Sequence, residues 1–440
     1  MLGIILGYAA LLLAIGMFDF MRHKSFEDFV VAGRQQGSWL VTMSILATVM
    51  GGSATLGVTA MAYEIGFPAF WWLGAGSIGL ILQSLFLSGK VHRIKSYTLP
   101  DMAEKILGPQ SRLIVSVIIL LAWIGIIAAQ IVAASKIITS LLSTELFTEA
   151  LLVTGVVMIL YSFLGGQYSI LKTDFIQFVI LGGSIVLTFV YLYFWKGIEG
   201  HSLPIEFRNE SFGIEAWLYF LFIVGGSFFL GPDLFSRLFT ARDERTARSS
   251  SWLAALFLLG LALMITLIGL WAKLKLPGIG NENPLIAIMA GHLPKVAGVF
   301  LSFGLLSAVV SSADTCLVTT AAIFEHDLLK KRNLADVRRL VLGIGFVSLI
   351  IALIRPDIIS LLLAAFSLYS AGIVMPFLIG IINFEKRRSN PWVLGAAVIA
   401  GGSFGLVSNL TGKKWMALAG MGVSLIISLG ALIKTDNNSL

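Results

Sequence analysis

The 440-residue chain is 57% hydrophobic and only 12% charged, about half the ~25% charged share of a soluble globular protein, which excludes an ordinary water-soluble enzyme. A formal charge of +7 does not indicate a nucleic-acid partner, because the basic residues are dispersed in short connectors and no polar stretch is long enough to make a domain. One cysteine, Cys316, excludes an intrachain disulfide framework.

In chain order, apolar runs of the roughly 20 residues a helix needs to cross the hydrocarbon core begin near residues 2, 39, 68, 112, 148, 171, 214, 250, 295, 338, 357, 391 and 415. They predict an all-α polytopic membrane protein of about thirteen transmembrane helices, embedded in the lipid bilayer. The first run, about Leu2 to Met21, has neither a basic leader nor a small-residue cleavage site and is expected to stay as a helix. Lys and Arg fall unevenly on alternate connectors. If the first connector, with Arg22, Lys24 and Arg34, is inside, 22 of the 31 lie on that side, among them Arg237, Arg242, Arg245 and Arg248, then Lys386, Arg387 and Arg388, and last Lys434. The positive-inside bias with an odd span count predicts an outer N-terminus and a cytoplasmic C-terminus in the cell (inner) membrane.

The second run contains Met50-Gly51-Gly52-Ser53, and the seventh contains Val224-Gly225-Gly226-Ser227 followed by Gly231-Pro232. Interruptions at matching places five spans apart predict unwound backbone at a transporter binding site, and an odd five-helix unit repeated once must be inverted in the membrane. Taken singly, such residues also suit close helix packing.

In the ninth run, Ala308, Ser311, Ser312, Thr315 and Thr319 recur at helical spacing on one face. Hydroxyls there, with carbonyls from an unwound partner, suit a hard monovalent cation, although they equally bond back to their own helix. Asp314 breaks the apolar character of the run and marks an ion path or a paired structural charge. Asp174, just after Lys172 and Thr173, is expected near the start of the sixth run, where a carboxylate either favours the helix N-terminus or serves the ion.

The order and spacing of several motifs resemble the sodium:solute symporter family along most of the chain. Phe26-Glu27-Asp28-Phe29-Val30-Val31-Ala32-Gly33-Arg34 is similar to its first cytoplasmic signature and Tyr97-Thr98-Leu99-Pro100-Asp101 to its second. Tyr161 through Gly165-Gly166 to Thr173-Asp174 and Gln177 resembles its fifth core helix, Asp327-Leu328 the continuation of its eighth, and Gly372 with Pro376 its tenth.

The resemblance implies a leucine-transporter-type fold in one transporter domain: an extra helix and connector over 1–38, inverted repeats over 39–196 and 214–381, and two further helices over 391–434. It also implies a main sodium site of the Ala47, Met50 and Ala308 carbonyls with the Ser311 and Ser312 hydroxyls, and a second ion position at Asp174, Asp314 and Thr315, where some relatives have serine in place of Asp314. The solute is expected between the broken helices, near Ser53, Thr55, Gln130, Ser227 and Tyr369. The sugar-carrying branch uses amide and acidic side chains where this chain has Gly52, Ser53, Ala54 and Thr55, so an amino acid, carboxylate or vitamin-like solute is favoured over a sugar. The expected function is sodium-coupled import of a small organic solute by alternating access, with no organic cofactor. A proton-coupled symporter of the same fold and a non-transporting solute receptor are the alternatives. The five histidines are expected in connectors, and no nucleophile triad or metal spacing points to an enzyme.

Overall fold

With no water in the bilayer core, an apolar segment has to satisfy its backbone internally, so each long run folds as a helix. The structure, a computed structural model, describes residues 2–22, 25–142, 144–198, 202–280, 282–384 and 390–433. Lys24, Lys386, Arg387, Arg388 and Lys434, which enter the charge asymmetry, lie outside the described residues.

Helix α1 is Leu2–Arg22. Helix α2 is a bent pair, Ser38–Val49 and Ser53–Ile65, whose arms meet at 60°. There follow α3 (Phe67–Phe86), α4 (Pro109–Leu142), α5 (Phe147–Leu164), α6 (Gln167–Lys196), α7 (Ile214–Leu238), α8 (Glu244–Lys275), α9 (Lys295–Leu328), α10 (Leu334–Ile354), α11 (Ile358–Asn383) and α12 (Pro391–Thr411), then α13 (Lys414–Ile433). Among the described residues eleven single helices are long and apolar enough to span, the bent pair makes a twelfth, and the 21-residue α1 coincides with the remaining expected span. Side-chain caps mark several starts: Asp243 Oδ1 accepts from Thr246 N–H at 2.7 Å at α8, and Asp357 Oδ1 from Ser360 N–H at 2.6 Å at α11.

The contacts between helices carry the inverted repeat. Exchanging α2–α6 with α7–α11 reproduces much of the packing: α3 against α8, α4 against α9 and α5 against α10 are their own images, α6 on α9 becomes α11 on α4, and α2 on α6 becomes α7 on α11. Helix α1 is pinned to this bundle by Tyr8, whose hydroxyl meets Ser307 Oγ at 3.0 Å and accepts from Gln177 Nε2 at 3.1 Å.

The family-like connector motifs converge at one end of the bundle. The Arg34 guanidinium donates to Ser96 O at 2.8 Å and lies over the Tyr97 ring, while Arg112 bridges Glu104 and Asp327, each at 2.8 Å. Gly33 holds φ +65, and a Cβ there would stand 2.7 Å from the Tyr168 hydroxyl, which explains glycine at the centre of Ala-Gly-Arg. His326, expected in a connector, instead ends α9 and packs between Phe26 and Tyr97, at 5.8 and 5.5 Å between ring centroids.

Candidate functional site

The backbone ladder of α2 stops with Met50 N–H bonding Leu46 O and resumes with Thr55 N–H bonding Gly51 O. The last carbonyls of a helix have no partner within it, so those from Ala47 to Met50 are free for other donors or a cation. Ser312 of α9 reaches this end: its hydroxyl lies 2.8 Å from Thr48 O, 3.0 Å from Ala308 O and 3.4 Å from Ala47 O. Gly51 permits the approach, since a Cβ there would sit 2.6 Å from Ser312 Oγ and 2.7 Å from Gln130 Oε1. Ala47, Ala308, Ser311 and Ser312 thus come together beside the end of α2 that Met50 caps, all buried.

The seventh span breaks one turn later than the Gly225-Gly226 pair. Those two glycines are helical, within Gly225–Leu230, and the interruption is at Gly231, with φ −56 and ψ 128 ahead of Pro232. The reason is close packing on α3: a Cβ on Gly225 would lie 2.9 Å from Ala75 O, and one on Gly79 would lie 2.3 Å from Gly225 O. Three of the carbonyls before this break have side-chain partners. Gln83 Nε2 donates to Phe228 O and Phe229 O at 3.4 and 3.2 Å, and Tyr369 Oη donates to Leu230 O at 2.6 Å. Backbone carbonyls without a backbone partner are therefore found at the break in α2.

Asp174 lies two turns inside α6, fully buried, rather than at its start. It ties four helices together. Its Oδ1 accepts from Ser311 Oγ at 2.5 Å, its Oδ2 accepts from the Ser44 hydroxyl, and the same oxygen pairs with Arg237 Nη2 at 3.0 Å. Arg237 also donates to Thr315 Oγ1. This arginine, expected among connector charges, is 0% exposed near the end of α7; a long side chain close to a helix end reaches inward to pair with the buried carboxylate of Asp174. Removing Arg237 from the connector tally leaves the charge bias intact. Asp314, 1% exposed, meets Thr315 Oγ1 at 3.4 Å, while its Oδ2 has no hydrogen-bond partner among the described residues. The three residues expected at a second ion position are thus gathered around a guanidinium.

Beside this cluster is a small cavity of about 50 Å³. Thr48, Gly51, Ser53, Gln130, Ser227 and Ser312 give it polar wall, Trp72, Trp123, Phe228 and Phe366 give aromatic wall, and Asp233 and Cys316 also line it. Of the residues expected around a solute, Ser53, Gln130 and Ser227 face the cavity. Gln130 is oriented by accepting from Gly52 N–H at 2.9 Å. Thr55 and Tyr369 are not on its wall: Thr55 Oγ1 bonds Gly51 O at 3.0 Å, and Tyr369, edge-on to Trp123 at 4.9 Å, holds the α7 break. Asp233, Trp72, Trp123 and Phe366 escape a reading of sequence, although the position of Asp233 directly after Gly231-Pro232 was a usable signal.

The family model for the sodium:solute symporter family matches residues 29–387, a range that contains every residue of the site. Among curated relatives, the chain is 25% identical to the high-affinity proline transporter PutP of Bacillus subtilis (strain 168), over 93% of this chain and 87% of that protein. It is 23% identical to the sodium/pantothenate symporter of Haemophilus influenzae, over 93% of this chain and 91% of that one. Among solved structures, a Na+-coupled sialic acid symporter in a substrate-bound outward-open state superposes with a TM-score of 0.80 at 16% identity, covering 98% of this chain and 97% of the other. MhsT in complex with L-phenylalanine gives 0.62 at 15% identity, covering 90% and 98%. The fold is that of leucine-transporter-type proteins.

Proposed function

This chain belongs to the sodium:solute symporter family, and on that premise we propose that it imports a small organic solute driven by one sodium ion per cycle. The observation that carries the reading is the convergence of Ser312 Oγ with the carbonyls of Ala47 and Ala308, at 3.4 and 3.0 Å, beside the unwound end of α2. With Met50 O and Ser311 Oγ these supply only neutral oxygen, which suits a hard monovalent ion that has to be released again. Asp174 accepts the Ser311 proton at 2.5 Å, so the hydroxyl's lone pairs are left for the ion. Sodium bound there joins α2 to α9, favours the arrangement open to the outside, and lets solute complete the closure before the bundle rocks inward.

Arg237 supports the reading of a single ion. Its guanidinium lies against Asp174 and Thr315 and supplies from within the chain the positive charge that a second sodium would bring to Asp174, Asp314 and Thr315. One ion moving down about 100 mV and a tenfold gradient releases about 3.7 kcal/mol, enough for roughly 500-fold accumulation of a solute without net charge.

The repeats run over about 39–196 and 214–381, and the connectors bearing most Lys and Arg face the cytoplasm of a cell (inner) membrane, with the N-terminus outside. The solute is an amino acid, carboxylate or vitamin-like molecule, in keeping with relatives named for proline and pantothenate. The test is uptake in proteoliposomes under imposed sodium, proton and voltage gradients. Sodium-driven uptake whose reversal potential fits one sodium per solute, and which disappears in Ser312→Ala, is the expected result. Uptake driven by pH and indifferent to sodium would replace this reading with the proton-coupled one.

A further inference from the structure

Resting on the reading of this cavity as the solute site, we propose that the transported solute carries a positively charged nitrogen, which is held by Asp233 against aromatic faces. Among the described residues that line the cavity, Asp233 is the only carboxylate, and none is Lys, Arg or His. Asp233 is half-buried, and its carboxylate folds back beside the break at Gly231, where Oδ1 would lie 2.8 Å from a Cβ. The basic residue one turn on, Arg237, hydrogen-bonds Asp174 at 3.0 Å and Thr315; its charge also acts on Asp233, but among the described residues it makes no hydrogen bond to that carboxylate.

The nearby Arg237 is ion-paired with Asp174, and among the described residues Asp233 has no direct ion pair, so a cation brought against its carboxylate in a mostly apolar cavity would interact with it strongly. Trp72, Trp123, Phe228 and Phe366 surround the same space, and aromatic faces attract cations most strongly where water is excluded. Gln130, Ser53 and Ser227 offer neutral hydrogen bonds to the rest of the molecule, and nothing on the wall supplies a fixed positive charge to a solute that is only an anion. The ligand class is a small ammonium or iminium compound, free or zwitterionic, with a compact apolar body.

The test is thermal stabilisation of the purified full chain in sodium and in potassium by L-proline, glycine betaine, choline, D-glucose and pantothenate. The expected result is stabilisation by one or more of the three cationic-nitrogen compounds and by neither glucose nor pantothenate. In Asp233→Asn, which keeps the shape, that ligand's affinity should fall at least 100-fold while the shift caused by sodium alone persists, showing an intact fold. Stabilisation by glucose or pantothenate, no response to any of the three nitrogen compounds, or undiminished affinity in Asp233→Asn overturns the proposal. Should Asp233→Asn fail to fold, the wild-type selectivity decides. A cationic ligand that binds equally in potassium leaves the solute class standing and removes the sodium-coupled reading; a sodium shift with no cationic ligand does the reverse.

Discussion

Arg237 and Asp174 are both 0% exposed and 3.0 Å apart. Breaking a buried pair by removing one member leaves an uncompensated charge and costs about 3–5 kcal/mol, whereas replacing both by neutral residues costs far less. Arg237→Met and Asp174→Asn should each lower the thermal midpoint sharply in sodium-free buffer, and the double variant should recover most of the loss. Strict additivity in that double-mutant cycle would mean the two groups do not interact. At Ser312 the expectation differs, because its hydroxyl touches three carbonyls but no charge. Ser312→Ala should leave the fold intact and weaken sodium binding at least tenfold, about 1.4 kcal/mol, read by titrating sodium against thermal stability. The hydroxyl stripe of α9 was legible residue by residue because helical periodicity alone brings 308, 311, 312 and 315 to one face. The partner of Asp174 was not, since a side chain's direction near a helix end depends on what is packed around it.

The two broken helices differ in what happens to their freed backbone. In α2 the carbonyls in the gap between Leu46 and Thr55 are met by the Ser312 hydroxyl, and in α7 Gln83 and Tyr369 occupy those before the break. Gly51→Ala should therefore lower sodium and solute affinity together, by pressing on Ser312 and Gln130 at 2.6 and 2.7 Å; unchanged binding would show that this approach is slack. Helix packing gives a separate expectation. Gly401 and Gly405, one turn apart on α12, lie against α11 so closely that a Cβ would be 2.1 Å from Ala371 O and 2.3 Å from Ser367 O. Overpacking of this kind costs about 1–3 kcal/mol, so Gly405→Ala should lower the thermal midpoint, whereas Gly430→Ala, with nothing within 4 Å of the added carbon, should not. Glycine pairs for packing and glycine pairs for unwinding look alike in sequence, which is why Gly225-Gly226 reads as a break although it is a contact with α3.

At the scale of the whole molecule, the single cysteine reports on access to the cavity, because Cys316 lines it and is otherwise 1% exposed. If sodium favours the outward-open arrangement, a small membrane-impermeant thiol reagent applied outside should modify Cys316 faster in sodium than in potassium, and a transported solute should slow it. Equal rates in both cations would separate sodium from the opening of the cavity. Sequence by itself determined the membrane class, the span positions, the alternation of connector charge and the small-residue stripe of α9, because bilayer thickness and helical period act on each segment locally. Tertiary structure decided the rest: that Gly225-Gly226 stays helical and α7 breaks only at the Gly231-Pro232 step, that Arg237 is an internal cation, that Tyr369 supports backbone instead of facing the cavity, and that Asp233 lines it. Each depends on which helices lie across from one another, and two inverted repeats bring into contact residues separated by more than a hundred positions, a relation that no local period encodes.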